Sequence, residues 1–537
     1  MIYKFYKGCE LTDGGYYVAD QARYDYYLED CTVYEDPEVI SMAKSITTYL
    51  RHAVIVKDKK NVTLDFNGAT VACHGRIQPF LFLNCENITV KNVKIDYDRP
   101  FYTQGKVLEC DKEHIRFVPS KGFDCRVEDS YLYALSDTWE KNLNDWLPLF
   151  WLYDKDATQS KSIMLANIGK ETFPLENPPM PVKQLLAEQE GDSIVLRGEF
   201  PEDWTADNNM VLITHEPRDK NSFVFIGCKN VVMGGIQLLS GAAFGTVALR
   251  CENVFVDGYH IISDYDGNER MICANADGIH TYNCRGQVRI RNCYMEGLLD
   301  DTVNVHGNYL RISKVDGQTL TLICDNTELD PNMKMILPGD RIAIYHQRTQ
   351  KQNGLFTVTA IEPDAGSRGY RCTVQEPTEH LVSGDVVENM TAQPEILIEN
   401  CYFGKFRGTM RLQSRGKTVV RDCVFDNEIV SMIFTGDTTY WFESSPVNDV
   451  LIENCRFPHT QFGPRIGIYG EVDFTREHDT YNKNITIRNC WFEQGRILEA
   501  NHMQNLVFEN NESDGQMEIL LRECRNCQIS GAKVITE

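Results

Sequence analysis

The apolar positions of this chain come in short alternating runs that end at a recurring kind of corner. In Ile485-Thr486-Ile487 the apolar side chains are separated by one polar residue, and the run leads into Asn-Cys-Trp-Phe. Alternation with a period of two predicts β-strands that bury one face. The corner is an Asn or Asp followed by Cys, any residue and a large apolar residue, and it occurs at Asn292–Met295, Asn400–Phe403, Asp422–Phe425, Asn454–Phe457 and Asn489–Phe492.

A second version of the corner, Cys-x-Asn followed by Val or Ile, occurs at Cys85–Ile88, Cys228–Val231 and Cys251–Val254. The interval from Cys401 to Cys423 is 22 residues and that from Cys228 to Cys251 is 23, whereas other intervals stretch to 32 or 35. Self-similarity at such a period, with strand-like patterning, predicts an all-β solenoid, a parallel β-helix. Asn suits its corners because it tolerates left-handed backbone and can hydrogen-bond to the neighbouring coils.

Two stretches interrupt the repeat and predict insertions. The first contains Gly105–Cys110 and Ile115–Val118, and the second contains a hairpin turn at Asp316-Gly317. Short strands at regular spacing predict small β-barrels, which would wall a site on the neighbouring coils. The predicted organisation is N-terminal coils at 1–104, a β-rich insertion at 105–220, coils with candidate acids at 221–309, a barrel insertion at 310–392 and C-terminal coils at 393–537.

Carboxylates one coil apart are the main chemical signal. Asp277 precedes Asp300 and Asp301 by 23 and 24 residues, so the repeat stacks them roughly 4.8 Å apart along the axis. A glycosidase needs one carboxyl group as acid and another as base. Because adjacent residues of a regular strand face opposite sides, the Asp300-Asp301 pair requires a bend or bulge. Crowding would raise the pKa of one carboxyl group enough to keep it protonated near neutrality.

The net charge limits the classes of molecule that the protein is expected to bind. The 77 acidic and 54 basic residues give a net charge of -23, which repels nucleic acid and anionic membranes. It also disfavours polyanionic substrates such as pectate or alginate and favours a neutral sugar.

Cysteine usage indicates a reducing compartment. The 19 cysteines are an odd number, and many occupy the same position of the repeat, which predicts buried thiols rather than a disulfide framework. The N-terminus lacks a signal-peptide pattern and no apolar run reaches 18 residues. The chain as given is therefore expected to be cytoplasmic, and exported only if a leader has been removed.

No metal or cofactor is expected. Cys524-x-x-Cys527 has the spacing of half a zinc site but lacks a second pair or a His cluster. Asp264–Asn268 resembles the start of a calcium loop, but the acidic residue of the twelfth position is missing.

The acidic motifs resemble those of glycoside hydrolase family 110. The segment Ala276-Asp277-Gly278 and, one coil later, Leu299–Gly307 carry the resemblance, and Ile95–Pro100 and Trp441–Val447 extend it. The resemblance implies a right-handed parallel β-helix, the pectin-lyase-like solenoid, with two β-barrel-like insertions. It also implies an inverting exo-α-galactosidase that hydrolyses terminal α-1,3-linked galactose from oligosaccharides or glycoconjugates, either blood-group-B-like or linear.

The candidate residues follow from the motifs and the resemblance. Asp277, Asp300 and Asp301 are the candidate catalytic set, with the acid and the base left unassigned. The candidates for substrate binding, each weighed against a turn or surface ion-pair role, are His306, Asn304, His280, Arg411 and Glu443. The aromatic stretch Trp146–Trp151 is either a barrel core or a stacking platform.

Two other functions stay open at this point. One is a polygalacturonase-like or lyase β-helix enzyme acting on polyuronides, although His306 follows the paired acids by only five residues, where polygalacturonases place their His about a coil later. The other is a non-catalytic carbohydrate-binding β-helix. The expected partner is a neutral galactose-terminated glycan, and assembly into a homo-oligomer is an open alternative to a monomer.

Overall fold

A computed structural model of the 537-residue chain describes residues 2–34, 51–145, 147–154, 159–172, 180–215, 220–263, 270–324, 334–364, 369–438, 441–459, 462–470 and 481–537. Three columns of stacked parallel strands form a β-helix. The first column contains Ile2–Phe5, Tyr16–Ala19, Lys60–Asp65, Glu86–Lys91, Lys229–Leu238, Glu252–Ile261, Arg285–Arg291, Glu395–Glu399, Thr418–Arg421, Val450–Glu453, Asn482–Arg488, Met503–Glu509 and Gln528–Ile529.

The other two columns complete each coil. The second contains Arg23–Tyr27, Thr70–His74, Lys94–Tyr97, Tyr294–Leu298, Tyr402–Phe406, Val424–Asp426, Arg456–His459, Trp491–Phe492 and Glu512–Ser513. The third contains Arg51–Lys57, which pairs with Thr32–Val33, then Ile77–Leu83, Phe223–Ile226, Thr246–Leu249, Ile279–Tyr282, Val303–Asp316, Met410–Leu412, Met432–Phe434, Ile466–Ile468, Gly495–Asn501, Met517–Arg522 and Lys533–Thr536. The prediction of an all-β parallel β-helix is confirmed.

The corner asparagines explain why the chain turns where it does. Asn87, Asn230 and Asn253 have φ values of 56°, 52° and 60°, the left-handed region that Asn tolerates better than most residues. Their side chains also form a ladder, because Asn230 Nδ2 donates to Asn87 Oδ1 at 2.8 Å and Asn253 Nδ2 donates to Asn230 Oδ1 at 2.9 Å. The same arrangement joins Asn400 to Asn292 at 2.7 Å. The corner role predicted for Asn is confirmed.

The core of the β-helix lies between the three columns and is filled by stacks of like residues. Phe403, Phe425, Phe457 and Phe492 stack with ring centroids 4.7 to 5.3 Å apart. The corner thiols are buried in the same core, as predicted, at Cys85, Cys228, Cys251, Cys284, Cys293, Cys401, Cys423, Cys455 and Cys490. Each repeat thus presents the same apolar shape to the next coil, which favours the in-register stack.

The first insertion follows the strand Lys94–Tyr97. Its closed barrel contains Tyr102–Cys110, His114–Pro119, Ser193–Arg197, Val182–Glu190, Gln159–Ile168, Leu149–Asp154 and Asn209–Thr214. A small sheet, Cys125–Glu128, Tyr131–Leu135 and Glu140–Asn142, accompanies it, and short 3-10 helices occur at Leu28–Asp30 and Leu143–Asp145.

The second insertion extends a strand of the third column. Val303–Asp316 begins inside the column and continues as the first strand of an antiparallel barrel. The other barrel strands are Thr319–Ile323, Gly369–Val374, Gln352–Asp364, Arg341–Tyr345 and Val386–Asn389. The fold prediction of two β-barrel-like insertions is confirmed, whereas the domain boundaries proposed from sequence stay predictions. Within the described ranges, no helix is long and apolar enough to cross a membrane.

Candidate active site

The third column presents a ladder of polar side chains to its outer face. His280 pairs with Asn304 in the strand register, and Asn304 pairs with Arg411. The residues that flank them in the strands, such as Ile279 and Val303, point into the core. Because side chains alternate between the two faces of a strand, His280, Asn304 and Arg411 share the outer face. The register therefore brings three of the predicted site residues side by side.

The candidate carboxylates lie directly before these strands. The backbone N–H of Gly278 donates to the carbonyl of Asp301 at 2.9 Å, which stacks Asp277 on Asp301 in adjacent coils. Asp300 and Asp301 occupy the connection between Tyr294–Leu298 and Val303–Asp316, so the chain bends there, outside regular strand geometry. One oxygen from each of Asp277, Asp300 and Asp301 lies within 4.8 Å of the others.

Burial makes this cluster electrostatically unusual. Asp277 and Asp301 are buried, and Asp300 is half-buried. Burial raises the pKa of Asp301 well above the usual range of an aspartate; the Arg411 guanidinium opposes this shift, and Asp277, Asp300 and Glu443 add to it. Arg411 Nε lies 3.0 Å from Asp301 Oδ2, and the negative charge of Asp301 raises the pKa of Arg411. Burial and the neighbouring acids thus favour the protonated form of Asp301, whereas Arg411 favours its ionised form.

A hydrogen-bonded chain of imidazoles extends from Asp277. His280 Nδ1 lies 2.7 Å from Asp277 Oδ2, and His280 Nε2 lies 2.9 Å from His306 Nε2. His306 Nδ1 donates to the carbonyl of Gly307 at 2.6 Å. Burial lowers the pKa of His306 to about 4.

Glu443 reaches the same face from a distant part of the sequence. The strand Glu443–Ser444 pairs antiparallel with Gly307 and Asn308, and Glu443 Oε1 lies 3.8 Å from His306 Nε2. A Cβ atom on Gly307 would lie 2.5 Å from Ser444 Oγ, so a larger residue there would have to displace the Ser444 hydroxyl. All the residues proposed from sequence are thus gathered around one recess, while their functional roles stay predictions.

Two polar residues at the site, Gln413 and Asn308, were not proposed from the sequence. Gln413 lies beside His306 in the register of the third column, and its side-chain amide donates to Glu443 Oε2 at 3.5 Å. Among the described residues, the buried atoms Gln413 Oε1 and Asn304 Oδ1 accept no hydrogen bond from protein, nor does the buried amide Asn308 Nδ2 donate one. Buried polar groups normally have partners, so these atoms offer hydrogen-bonding capacity to a polar ligand. Gln413 lies beyond the second insertion, so its spacing from His306 carries no signal.

The two barrels flank this recess on different sides. The second barrel packs on the outer face of the third column through an apolar cluster that includes Leu249 and Tyr282 and ends next to His280. The first barrel contacts the bend that carries the paired acids, because Leu299 and Phe406 belong to one cluster with Trp151. The polar residues of the third column therefore lie between the contacts that the two insertions make with the β-helix.

The remaining sequence expectations have mixed outcomes. Trp151 is buried in the cluster between the first barrel and the β-helix, with Arg407 stacked 5.3 Å from its ring centroid; Trp146 lies outside the described residues. The Asp264–Asn268 segment, weighed as a calcium loop, also lies outside them. Cys524 and Cys527 are half-buried at the C-terminal end of the β-helix, away from the acidic cluster.

The spacing of the three acids would also allow each to offer one oxygen to a cation. Such carboxylate oxygens are typical ligands of calcium or magnesium. Here, however, the Arg411 guanidinium already supplies a fixed positive charge next to Asp301 and would repel a second cation. The donor set fits acid–base chemistry better than metal binding.

Curated relatives align with most of this chain. An α-1,3-galactosidase B of Bacteroides thetaiotaomicron is 25% identical over 532 residues, covering 95% of this chain and 82% of the relative. An α-1,3-galactosidase B of Bacteroides fragilis is 28% identical, covering 85% and 78%. An α-1,3-galactosidase A of Shewanella woodyi is 25% identical, covering 84% and 73%. These relatives confirm the resemblance that the acidic motifs indicate, and no protein-family model matches the chain.

Solved structures align with this chain more distantly. A family 28 exopolygalacturonase of Yersinia enterocolitica aligns with a TM-score of 0.36 and 12% identity, covering 97% of this chain and 68% of that one. The catalytic domain of a family 87 α-1,3-glucanase aligns with a TM-score of 0.26 and 8% identity, covering 80% and 91%. The fold assignment rests on the strand register of this chain, and the site is interpreted from its own geometry.

Proposed function

We propose that this protein is an exo-acting glycoside hydrolase that removes terminal α-1,3-linked galactose with inversion of the anomeric centre. The observation that carries the assignment as a hydrolase is the meeting of Asp277, Asp300 and Asp301 at one point of the outer face, with one oxygen of each within 4.8 Å of the others. Inversion is inferred from the side chains that engage Asp301 and Asp277. The alignment with α-1,3-galactosidases over most of the chain supports the choice of sugar and linkage.

The environments of the acids support a division of labour. Hydrolysis of a glycoside needs a protonated acid for the leaving oxygen and an ionised base for water. Asp301 suits the acid, because burial raises its pKa well above the usual range. Asp300 suits the base, because it is the most exposed of the three and water hydrates an ionised carboxylate. Asp277 lies stacked on Asp301 and completes the set.

A neutral sugar fits the charges of the recess. The nearby acids are Asp277, Asp300, Asp301 and Glu443, and the cation Arg411 is engaged by Asp301. A uronate carboxylate would meet net repulsion there, since an anion needs an unengaged cation for its binding. Galactose hydroxyls, in contrast, can donate to the buried oxygens Asn304 Oδ1 and Gln413 Oε1.

The two barrels support an exo mode of action. They bound the recess on different sides, through the Tyr282 cluster and the Trp151 cluster. A recess closed in this way admits the end of a glycan, whereas an internal sugar of a long polymer needs an open groove. The aglycone would then project away from Asp277 between the barrels.

The experiment that tests the proposal compares substrates on the purified full chain. We expect release of galactose from a chromogenic α-galactoside and from an α-1,3-galactosyl oligosaccharide, and slower release from the α-1,4- and α-1,6-linked isomers. Activity should be equal with and without EDTA. The Asp300→Asn variant serves as the control for contaminating glycosidases.

Other outcomes would overturn the proposal in distinct ways. Cleavage of polygalacturonate, with α-galactosides untouched, would assign the site to polyuronides. Activity lost with chelator and restored by calcium would indicate a lyase. Binding of α-galactosides without hydrolysis in calorimetry would indicate a carbohydrate-binding scaffold.

A further inference from the structure

The hydrogen-bonded chain that runs from Asp277 through His280 and His306 has a fixed number of protons. Its last acceptor is the carbonyl oxygen of Gly307, which lies 2.6 Å from His306 Nδ1. A carbonyl can only accept, so His306 Nδ1 must carry a hydrogen. This end of the chain fixes one tautomer without any assumption about the other groups.

The next link restricts His280. The two facing nitrogens, His280 Nε2 and His306 Nε2, are 2.9 Å apart, and a hydrogen bond at this distance needs one hydrogen between them. Likewise, the 2.7 Å contact of His280 Nδ1 with Asp277 Oδ2 needs one hydrogen. Wherever each hydrogen resides, Asp277, His280 and His306 together hold three dissociable protons and carry no net charge.

The surroundings of His306 keep its imidazole uncharged. Burial lowers the pKa of His306 to about 4; the nearby Glu443 opposes this shift, and His280 and Arg411 reinforce it. His306 is therefore neutral at physiological pH and accepts the hydrogen of His280 Nε2. The remaining proton lies between Asp277 and His280, either as a carboxylic acid facing a neutral imidazole or as a carboxylate facing an imidazolium.

Two other acids and two aromatic rings face this pair. Asp301 stacks on Asp277 in the adjacent coil, and Asp300 lies in the same acidic cluster. The rings of Phe244 and Tyr282 contact His280 edge-on at 5.2 and 5.0 Å, which shields it from water. In this setting a neutral pair costs less free energy than an isolated Asp277 carboxylate among two other acids.

We propose that His280 is a positioning residue that shares one mobile proton with Asp277, so that the two side chains titrate as a single unit held in place by neutral His306. Transfer of that proton from His280 Nδ1 to Asp277 Oδ2 breaks one N–H bond and forms one O–H bond, and it turns an ion pair into two neutral groups. No other reactant is needed. The shared proton lets three carboxyl groups occupy one site, and its catalytic use rests on the proposed function.

Nuclear magnetic resonance of the full chain with ¹⁵N-labelled histidine tests the chain without any substrate. We expect His306 to remain a neutral Nδ1–H tautomer between pH 5 and 8, and His280 to show a strongly downfield, exchange-protected proton on Nδ1. His306 as an Nε2–H tautomer would overturn the proposal. So would titration of His280 near ~6.5, the ordinary value for a solvated imidazole.

Two matched variants separate this pair from the rest of the acidic cluster. Asp277→Asn removes the mobile proton, so the downfield resonance should disappear while His306 keeps its tautomer. Asp300→Asn removes a carboxylate of the same cluster that lies outside the chain, so the resonance should persist. Persistence of the resonance in Asp277→Asn, or its loss in Asp300→Asn, would contradict the assignment.

An activity measurement then addresses the use of the proton. His280→Asn keeps a donor toward Asp277 but cannot bind a proton, so the pH profile of kcat/KM should change shape while KM at the optimum is unchanged. A purely structural His280 would instead lower kcat/KM by the same factor at every pH. If the resonances behave as expected but no galactoside is cleaved, the proposed function fails and the proton chain stands.

Discussion

In the proposed mechanism Asp301 must hold a proton, and its burial next to Asp277 and Asp300 favours that protonated form. The Asp→Asn change at position 301 or 300 keeps the shape of the side chain and removes its acid–base chemistry. Because general acid and base groups act in the transition state, each variant should lower kcat by ~10³-fold or more, with KM changed much less.

The control for these variants is Asp257→Asn. Asp257 lies on the first column, where it forms an exposed ion pair with Arg291 at 2.8 Å, and its loss should leave turnover unchanged. Steady-state kinetics on a chromogenic α-galactoside give the comparison. Turnover near that of the wild type in both Asp300→Asn and Asp301→Asn would rule out the assignment of the catalytic set.

The raised pKa of Asp301 also predicts the stability of the same variant. A carboxyl group whose folded pKa lies above its unfolded value of ~3.9 binds a proton more tightly in the folded state. Stability then falls as pH rises above that value, by up to about 1.4 kcal/mol per pH unit until the folded pKa is reached. Asp301→Asn lacks this cost, so it should unfold at the same or a higher temperature than the wild type at pH 7.5.

Thermal unfolding from pH 4.5 to 7.5 measures this effect. The advantage of Asp301→Asn over the wild type should grow with pH. Only the wild type has the Asp301 carboxyl group, whose raised pKa in the folded state makes the free energy of unfolding fall as pH rises. A variant that is less stable than the wild type by a margin that widens with pH would mean that Asp301 is ionised and stabilised by Arg411.

At the scale of the element, the corner asparagine contributes to stability through its left-handed backbone and through its side-chain hydrogen bonds, and substitution can separate the two contributions. Asn230 has a φ of 52° and links Asn87 to Asn253 through its side chain. Asn230→Gly removes these side-chain hydrogen bonds, but glycine adopts the left-handed backbone without strain. Asn230→Ala removes the same hydrogen bonds and is also destabilised by ~1–2 kcal/mol, because alanine is strained in the left-handed conformation. Urea unfolding should therefore rank the wild type above Gly and Gly above Ala. An Ala variant as stable as the Gly variant would contradict the backbone argument.

The thiol stacks make a second prediction at this scale. Cys293, Cys401 and Cys423 lie in the core of the β-helix, where a thiol reagent cannot reach them. Labelling of the native protein should be confined to the half-buried thiols at first, which are Cys9, Cys110, Cys125, Cys524 and Cys527. The other thiols should react only after denaturation, and mass spectrometry of labelled peptides gives the sites. Rapid labelling of Cys401 in the folded protein would disprove the register.

The elements also show how far sequence reasoning reaches. The corners were predictable because a left-handed Asn and a buried Cys are local requirements that recur in every coil. Asp277 and Asp301 were predictable because their spacing of 24 residues equals one uninterrupted coil. Thr302 and Thr409, in contrast, are joined by a hydrogen bond although they lie 107 residues apart. The inserted barrel separates them, so no count of residues could give the register of Arg411 with Asn304 or bring Gln413 to the site.

The imidazole chain lies beyond sequence reasoning for a different reason. His280 and His306 are in adjacent coils, but they are not directly opposite each other. In the register His280 faces Asn304, whereas His306 faces Tyr282. The two rings therefore meet diagonally, at a centroid distance of 4.9 Å. Whether diagonal side chains touch depends on their rotamers, which packing against Phe244 and Tyr282 sets.

At the scale of the whole molecule, the β-helix supplies a rigid floor and the insertions supply the walls. The core stacks hold the third column in register and fix Arg411 beside Asn304, while a backbone hydrogen bond from Gly278 to Asp301 joins the connections that carry Asp277 and Asp301. This division predicts that barrel surfaces determine which aglycone is accepted, while the column determines the chemistry.

The stereochemical outcome follows from how the acids are held. Inverting glycosidases usually separate their two carboxyl groups by ~6.5–9.5 Å and retaining ones by ~5–5.5 Å, whereas here the nearest oxygens lie within 4.8 Å. Distance alone would favour a covalent mechanism. However, Asp301 is engaged by Arg411 and Asn304, and Asp277 by His280. With Asp301 as the proposed protonated acid and Asp277 sharing a proton with His280, both are poor nucleophiles, so we expect a water held between the acids to attack instead.

The first sugar released should accordingly be β-galactose. Proton NMR of the anomeric signals in the first minutes, before mutarotation mixes the anomers, measures it directly, with a commercial retaining α-galactosidase as the reference for the opposite result. Initial α-galactose would mean that one of the three aspartates acts as the nucleophile. Asp300 would then be the first residue to test, because it is the most exposed of the three.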